Sequence, residues 1–250
     1  ETPTLQLGVW PGGTATTVLD PAPTFLEDSS GLDFQATGGG GVLWAIDNGT
    51  GTLWKLDVRA DGTVAPAAGW ATGKRIRFQK DAGNPSAAGP DTEGVTVDDA
   101  GFVYAASERD NSAKAVNFNV VLKVDPNAAG PDLVALQEWD LTATLPAVGA
   151  NLGIEAVEWV ADADLGGLWD VNTGAVYDPA RYPLHGDGLF FVAVEDRGRV
   201  FAVALNSDGT HRLVADVTPA GAGVMALAYD AALGALWAVC DDGCSNAAAL

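Results

Sequence analysis

Carboxylates stand at recurring places in this chain. Glu93 and Glu155 sit at the start of short apolar runs, TEGVTVD (92–98) and GIEAVEWV (153–160). Glu108, Glu195 and Asp241 sit at the ends of others, FVYAASE (102–108), GLFFVAVED (188–196) and ALWAVCDD (235–242). Acids brought together with no Lys or Arg in the two motifs that Glu93 and Glu155 open repel, so they take up protons or share a cation. Hard oxygen ligands, helped by backbone carbonyls and water, suit calcium better than zinc. The expected metal ligands are therefore Glu93, Glu155, Glu108, Glu195 and Asp241. Ser30, Asn48, Arg109 and Asp196 are expected to line a ligand-binding mouth beside them. Arg109 could orient a carboxylate or phosphate there, or pair with neighbours of Glu108. Asp47, Asp196 and Asp242 can equally cap turns and face water.

Other chemistries are poorly provided for. Cys240 and Cys244, the only cysteines, flank an acidic turn in CDDGC. A disulfide clipping a strand end is expected, which would place the protein outside the cytosol. A zinc or redox pair is the weaker alternative, because structural zinc takes four ligands and the two aspartates raise thiol pKa values. A Ser-His-Asp triad would have to use His185 or His211, the two histidines. There is no G-x-S-x-G, H-E-x-x-H or phosphate-loop motif. Asn48-Gly49-Thr50 is formally a glycosylation sequon but reads as a hairpin turn.

A repeat positions the acids. The first copy is SSGLDF (29–34), VLWAIDN (42–48) and TLWKLDV (52–58). The second continues from 92–98 through 102–108 to NVVLKVD (119–125), and the third from 153–160 through 188–196 to RVFAVAL (199–205). The fourth is GVMALAYD (223–230), 235–242 and a strand cut short at AAAL (247–250). Alternating apolar residues of β-branched and aromatic type read as strands. RIRFQ (75–79), LQEWDL (136–141) and HRLVADV (211–217) supply a fourth strand in each gap. Four antiparallel strands repeated around a circle make a β-propeller blade. The expected fold is an all-β propeller occupying 1–250 as one domain, with blades starting near residues 29, 92, 153 and 223. About four blades are present, incomplete at the C-terminus, with TATTVLD (14–20) an orphan strand that closes the last blade. The first strand of each blade lines the central channel, so Ser30, Glu93, Glu155 and Met225 should converge. Lys74, Arg75, Arg77 and Lys80 fall in a fourth strand, typically the outer edge of a blade, and read as a solvated face or edge protection.

Composition narrows the partners. The chain has 33 acidic and 13 basic residues, a net charge of −20. Such a surface repels nucleic acid and anionic lipid and attracts divalent cations. No apolar run is long enough to span a bilayer, and no signal peptide is present. The chain starting at Glu1 therefore reads as a mature or trimmed, secreted product, with other domains of a longer chain as candidate partners.

At TEGVTVDDAGFVYAASERDN (92–111) the chain resembles the phytase-like, or esterase-like, β-propeller family, whose secreted bacterial members often carry a lamin-tail domain. The resemblance continues through 138–160, 182–205 and 225–244. It implies a propeller whose acidic face holds calcium and hydrolyses phosphate esters or esters. Glu93, Glu155, Glu108 and Glu195 are the positions that match, and no phosphate-binding set of Lys and Arg accompanies them. Two functions are therefore expected to compete: a metal-dependent phosphoester or ester hydrolase, and a non-catalytic scaffold module of an extracellular multidomain protein. A lactonase-like single-ion propeller ranks third, because Met225 stands at a channel position.

Overall fold

A computed structural model describes Phe25 and residues 28–219, 223–240 and 248–249. The expected strand at 14–20 lies outside the described residues, as do Asp241, Asp242 and Cys244. The fold is all-β, built from several antiparallel sheets.

The first sheet contains β1 (Ser29–Thr37), β2 (Gly40–Asp47), β3 (Thr52–Arg59), the short β4 (Val64–Pro66) and β5 (Lys74–Arg77). The second contains β6 (Pro90–Val97), β7 (Val103–Asp110) and β8 (Val120–Val124). Then β9 (Asp132–Val134) reaches back to pair with β5, and β10 (Gln137–Asp140) completes the second sheet on β8. The third runs from β11 (Ile154–Ala161) across a small hairpin, β12 (Trp169–Asp170) and β13 (Ala175–Val176). It continues with β14 (Gly188–Val194), β15 (Arg199–Leu205) and β16 (His211–Val217). The last holds β17 (Val224–Asp230), β18 (Ala235–Cys240) and β19 (Ala248–Ala249). The first strands of the four sheets, β1, β6, β11 and β17, lie side by side in chain order.

Core residues sit between successive sheets because strand side chains alternate faces. On β7, Val103 and Ala105 join a cluster with Trp44, Ile46 and Leu53 of the first sheet. Tyr104 and Ala106 of the same strand turn the other way, toward Phe190 and Val192. On β14 the split recurs: Phe190 and Val192 face the second sheet, and Leu189 and Phe191 face β17 and β18. Strands buried on both faces explain the near-continuous apolar stretch LFFVAV.

The basic cluster corrects one expectation. β5 pairs antiparallel with β3 and parallel with β9, so it is no free outer edge. Arg77 is 1% exposed and pairs with Asp132 at 2.9 Å. It also donates to the carbonyls of Ala87, at 2.6 Å, and Pro85. Lys74 donates to the carbonyl of Ala128 at 2.7 Å. A guanidinium has five donors in a planar fork, which lets Arg77 be buried while satisfied on three sides.

Candidate functional site

Each first strand carries a β-bulge at the same place in the repeat. Pairing of β1 with β2 passes from Ser29–Asp47 to Gly31–Ile46, leaving Ser30 unmatched. In the second sheet it passes from Thr92–Ser107 to Gly94–Ala106 and leaves Glu93. Ile154–Val194 followed by Ala156–Ala193 leaves Glu155, and Val224–Cys240 followed by Ala226–Val239 leaves Met225. A bulge adds one residue to one strand and re-aims its side chain. The residue after each bulge is small: Gly31, Gly94, Ala156 and Ala226. The reason is close approach of neighbouring first strands. A Cβ on Gly94 would lie 2.6 Å from the Val157 nitrogen and 2.8 Å from Ala156 Cα. One on Gly31 would lie 2.9 Å from Gly94 Cα. The crowding brings the four bulge residues, distant in sequence, to one cavity of about 260 Å³ lined by Ser30, Glu93, Glu155 and Met225.

A second register shift, from Asp91–Arg109 to Thr92–Ser107, leaves Glu108 unmatched on β7. Asp91, Glu93 and Glu108 each offer a carboxylate oxygen, all three within 4.8 Å of one another, and all three residues are buried. Asn48 donates from Nδ2 to Glu93 Oε1 at 2.8 Å, and Ser30 also hydrogen-bonds Glu93. The Gly153 N–H donates to Glu108 Oε2 at 3.2 Å. Glu155 shares a hydrogen bond with Glu195.

Arg109 is a cation among these acids. Its Nε lies 2.5 Å from Asp91 Oδ2, and its Nη1 3.4 Å from Glu108 Oε1. Nη1 also donates to the Ala150 carbonyl at 2.9 Å and to the Asn151 side chain. The Asp91 contact is close enough for an ion pair but not aligned as a hydrogen bond, so both buried atoms lack a hydrogen-bond partner. Of the two roles open to Arg109 in the sequence, the structure shows pairing with acids around Glu108.

One guanidinium does not neutralise the cluster. Burial, then the negative charge of Glu108, pushes Glu93 up to about 7 despite the Ser30 and Asn48 hydrogen bonds. Burial likewise raises Glu108 to about 7, against the Gly153 hydrogen bond and Arg109. Burial and the charges of Glu93, Glu108 and Glu195 raise Glu155 to about 9. A cluster holding protons this far above the ordinary carboxylate range either stays protonated or gives them up to a cation. The donor set is of the kind a hard divalent cation takes, carboxylate oxygens of three buried residues on two strands, with Arg109 already paired to one of them.

The remaining candidates fall as follows. Asn48 stands in the β2–β3 turn, where Asp47 Oδ2 accepts from Thr50 N at 2.8 Å and Oγ1 at 2.7 Å, so Asp47 caps the turn. Glu195 opens a single 3-10 turn, Glu195–Arg197. Asp196 in that turn is exposed and pairs with Arg197 at 3.6 Å. Cys240 is buried at the end of β18, and its expected partner Cys244 lies outside the described residues. Among the described residues no helix is long and apolar enough to cross a membrane.

Asp91 was missed in the sequence because repeat matching singles out only the bulge position. Two residues before it the third and fourth copies have Gly153 and Gly223. The i, i+2 spacing of Asp91 and Glu93, which places both on one face of a strand, was the available signal. His185, the histidine best placed for a triad, is committed elsewhere. It is 7% exposed, with Nε2 3.0 Å from Asp162 Oδ2 and 2.8 Å from the Tyr177 hydroxyl, and Nδ1 against the Tyr182 carbonyl.

A family model described as phytase-like, esterase-like activity of phytase, matches residues 25–206. No curated protein matches the chain. Among solved structures, a candidate 6-phosphogluconolactonase from Bacteroides uniformis ATCC 8492 is 16% identical with a TM-score of 0.36. That match covers 85% of this chain and 54% of the other, so this chain spans about half the length of that neighbour.

Proposed function

Since this chain belongs to the phytase-like family, described as esterase-like activity of phytase, we propose that it is a calcium-dependent hydrolase of phosphoesters or esters. The proposal includes a secreted, single-domain β-propeller whose sheets are its blades, and a Cys240–Cys244 disulfide at the end of β18. The observation that carries it is the meeting of Asp91, Glu93 and Glu108 within 4.8 Å, beside a cavity that Glu155 also lines. Asp91, Glu93 and Glu108 would hold the cation, with Glu155 and Glu195 beside them and Asp241 as a further candidate. Bound there, a divalent cation would polarise an ester or phosphoryl oxygen. The protein's own groups have separate tasks. Arg109, fixed through Ala150 and Asn151, supplies a counter-charge to Asp91 and holds its carboxylate in place. The Glu155–Glu195 pair holds a proton at neutral pH, as an acid facing a leaving oxygen must. Asn48 and Ser30 fix the carboxylate plane of Glu93.

A second reading, a non-catalytic scaffold module, is favoured by the engagement of Arg109 with Asp91 and Glu108. That leaves the cluster a poor host for a multiply charged anion. Hydrolysis of 4-nitrophenyl phosphate and 4-nitrophenyl acetate, with calcium and with EDTA, separates the two. The hydrolase reading expects calcium-dependent turnover that falls at least tenfold in Glu93→Gln, about 1.4 kcal/mol of barrier. Calcium-induced stabilisation without turnover of either ester would leave the scaffold reading standing.

A further inference from the structure

A second cavity, of about 200 Å³, opens between the second and third sheets. It lies beside Asp98, just past the end of β6, whereas Glu93 is the fourth of that strand's eight residues. Five positions along the strand direction separate them, roughly 16 Å at the usual rise. The acidic cavity and this one therefore meet the chain at separate places.

Its walls combine flat aromatic surface with hydrogen-bonding groups of both kinds. Tyr104, Trp139, Trp159 and Phe190 supply the rings, with Tyr104 stacked on Trp139 at 6.2 Å between centroids. Lys123 reaches in over the faces of Phe102, at 4.0 Å, and Tyr104, at 5.2 Å. Its ammonium is 3.9 Å from Asp98 Oδ2, beyond hydrogen-bond reach, so the ring faces position it and its N–H groups are not spent on that carboxylate. Asp98 is buried and receives the Tyr104 hydroxyl at 2.9 Å and the Phe102 N–H at 2.8 Å. Gln137 gives its amide N–H to the Asn206 carbonyl at 3.0 Å, which leaves its Oε1 as an acceptor. Exposed Asp187 and Ser207 complete the rim.

The ligand chemistry follows from this inventory. Two carboxylates against one ammonium disfavour an anion, and Lys123 already covers the Tyr104 face a ligand cation would seek. Donors and acceptors alternating around aromatic walls match a molecule with an apolar C–H face and a rim of hydroxyls, each able to donate and accept. The volume, below that of drug-sized pockets, suits one six-membered ring. We propose that the cleft between the second and third sheets binds a single neutral pyranose, seated against the Trp139–Trp159 wall with its hydroxyls on Lys123, Asp98 and Asp187.

The test titrates the intact protein with methyl glucoside, galactoside and mannoside by calorimetry and saturation-transfer NMR, with inorganic phosphate and adenosine as comparators. One pyranoside should saturate with a Kd of about 0.1–10 mM. Asp187→Asn and Lys123→Met should each weaken it roughly tenfold, the loss expected for a hydrogen bond to a charged group, with the circular dichroism spectrum unchanged. Glu93→Gln should bind the pyranoside as the parent does, which separates this site from the acidic cavity. Failure of all three sugars to saturate overturns the proposal. So does preferential binding of phosphate or adenosine, or a pyranoside affinity indifferent to both cleft variants.

Discussion

Replacing Glu93 by Gln should make the cation-free protein more stable at alkaline pH, although it removes a group from the candidate site. Glu93 is 6% exposed, and its carboxyl is raised from 4.5 to about 7. The folded protein keeps this proton up to about pH 7, whereas the unfolded chain releases it near 4.5. Stability therefore falls as pH rises between those values and stays lowered above them. At 1.36 kcal/mol per unit the loss is about 3 kcal/mol. Gln has the same shape and its Oε1 can still accept from Asn48 Nδ2, so the hydrogen bond survives while the charge goes. In urea titrations with EDTA, Glu93→Gln should exceed the parent by about 2–3 kcal/mol at pH 8 and by less than about 1 kcal/mol at pH 5. For a chain of this size, that corresponds to roughly 5–10 °C in Tm at pH 8. Millimolar calcium should reverse the order at pH 8, because only the parent gains from a ligand that binds the folded state. A variant destabilised equally at both pH values would show that Glu93 is held by contacts rather than opposed by its charge, and the reasoning about the cluster would fail.

Calcium affinity should rise as pH increases from 6 to 9, with protons released on binding, since the cation displaces protons held by Glu93 and Glu108; calorimetry in buffers of different ionisation enthalpy measures the release, and none at pH 7 would contradict it. Gly94→Ala should cost about 1–3 kcal/mol in urea unfolding, because the added carbon meets Val157 and Ala156 backbone that cannot swing aside. Arg109→Met should destabilise by about 3 kcal/mol at pH 7, since it leaves Asp91 buried without its counter-charge, and calcium should recover part of that loss. His185→Ala should lower stability through the Asp162–Tyr177 network while leaving ester turnover within about twofold of the parent.

The strands were readable because each obeys one period. RVFAVAL is element β15 and HRLVADV is element β16, each to the residue. Matching one copy to the next also singled out Ser30, Glu93, Glu155 and Met225. It could not show why that position matters, because a bulge is a property of pairing between strands, and pairing is not written in either strand alone. Short pieces such as β9 and the β12–β13 hairpin hold two or three residues, too few to display alternation. Arg77 was misread for a related reason. Its surroundings, the carbonyls of 85 and 87 and the Asp132 carboxylate, come from other segments, and nothing adjacent in the chain signals that a charge there is enclosed.

The parallel seam between β5 and β9 carries a consequence for how the chain comes apart. Ordinary repeats touch only their neighbours' faces, and each can melt nearly alone. Here Ile76 and Leu133 are zipped across the boundary by backbone bonds, and Arg77 is clasped by Asp132 from the following copy. Amides of residues 75–77 and 132–134 should therefore exchange with solvent together, as a single opening event shared by the two N-terminal sheets.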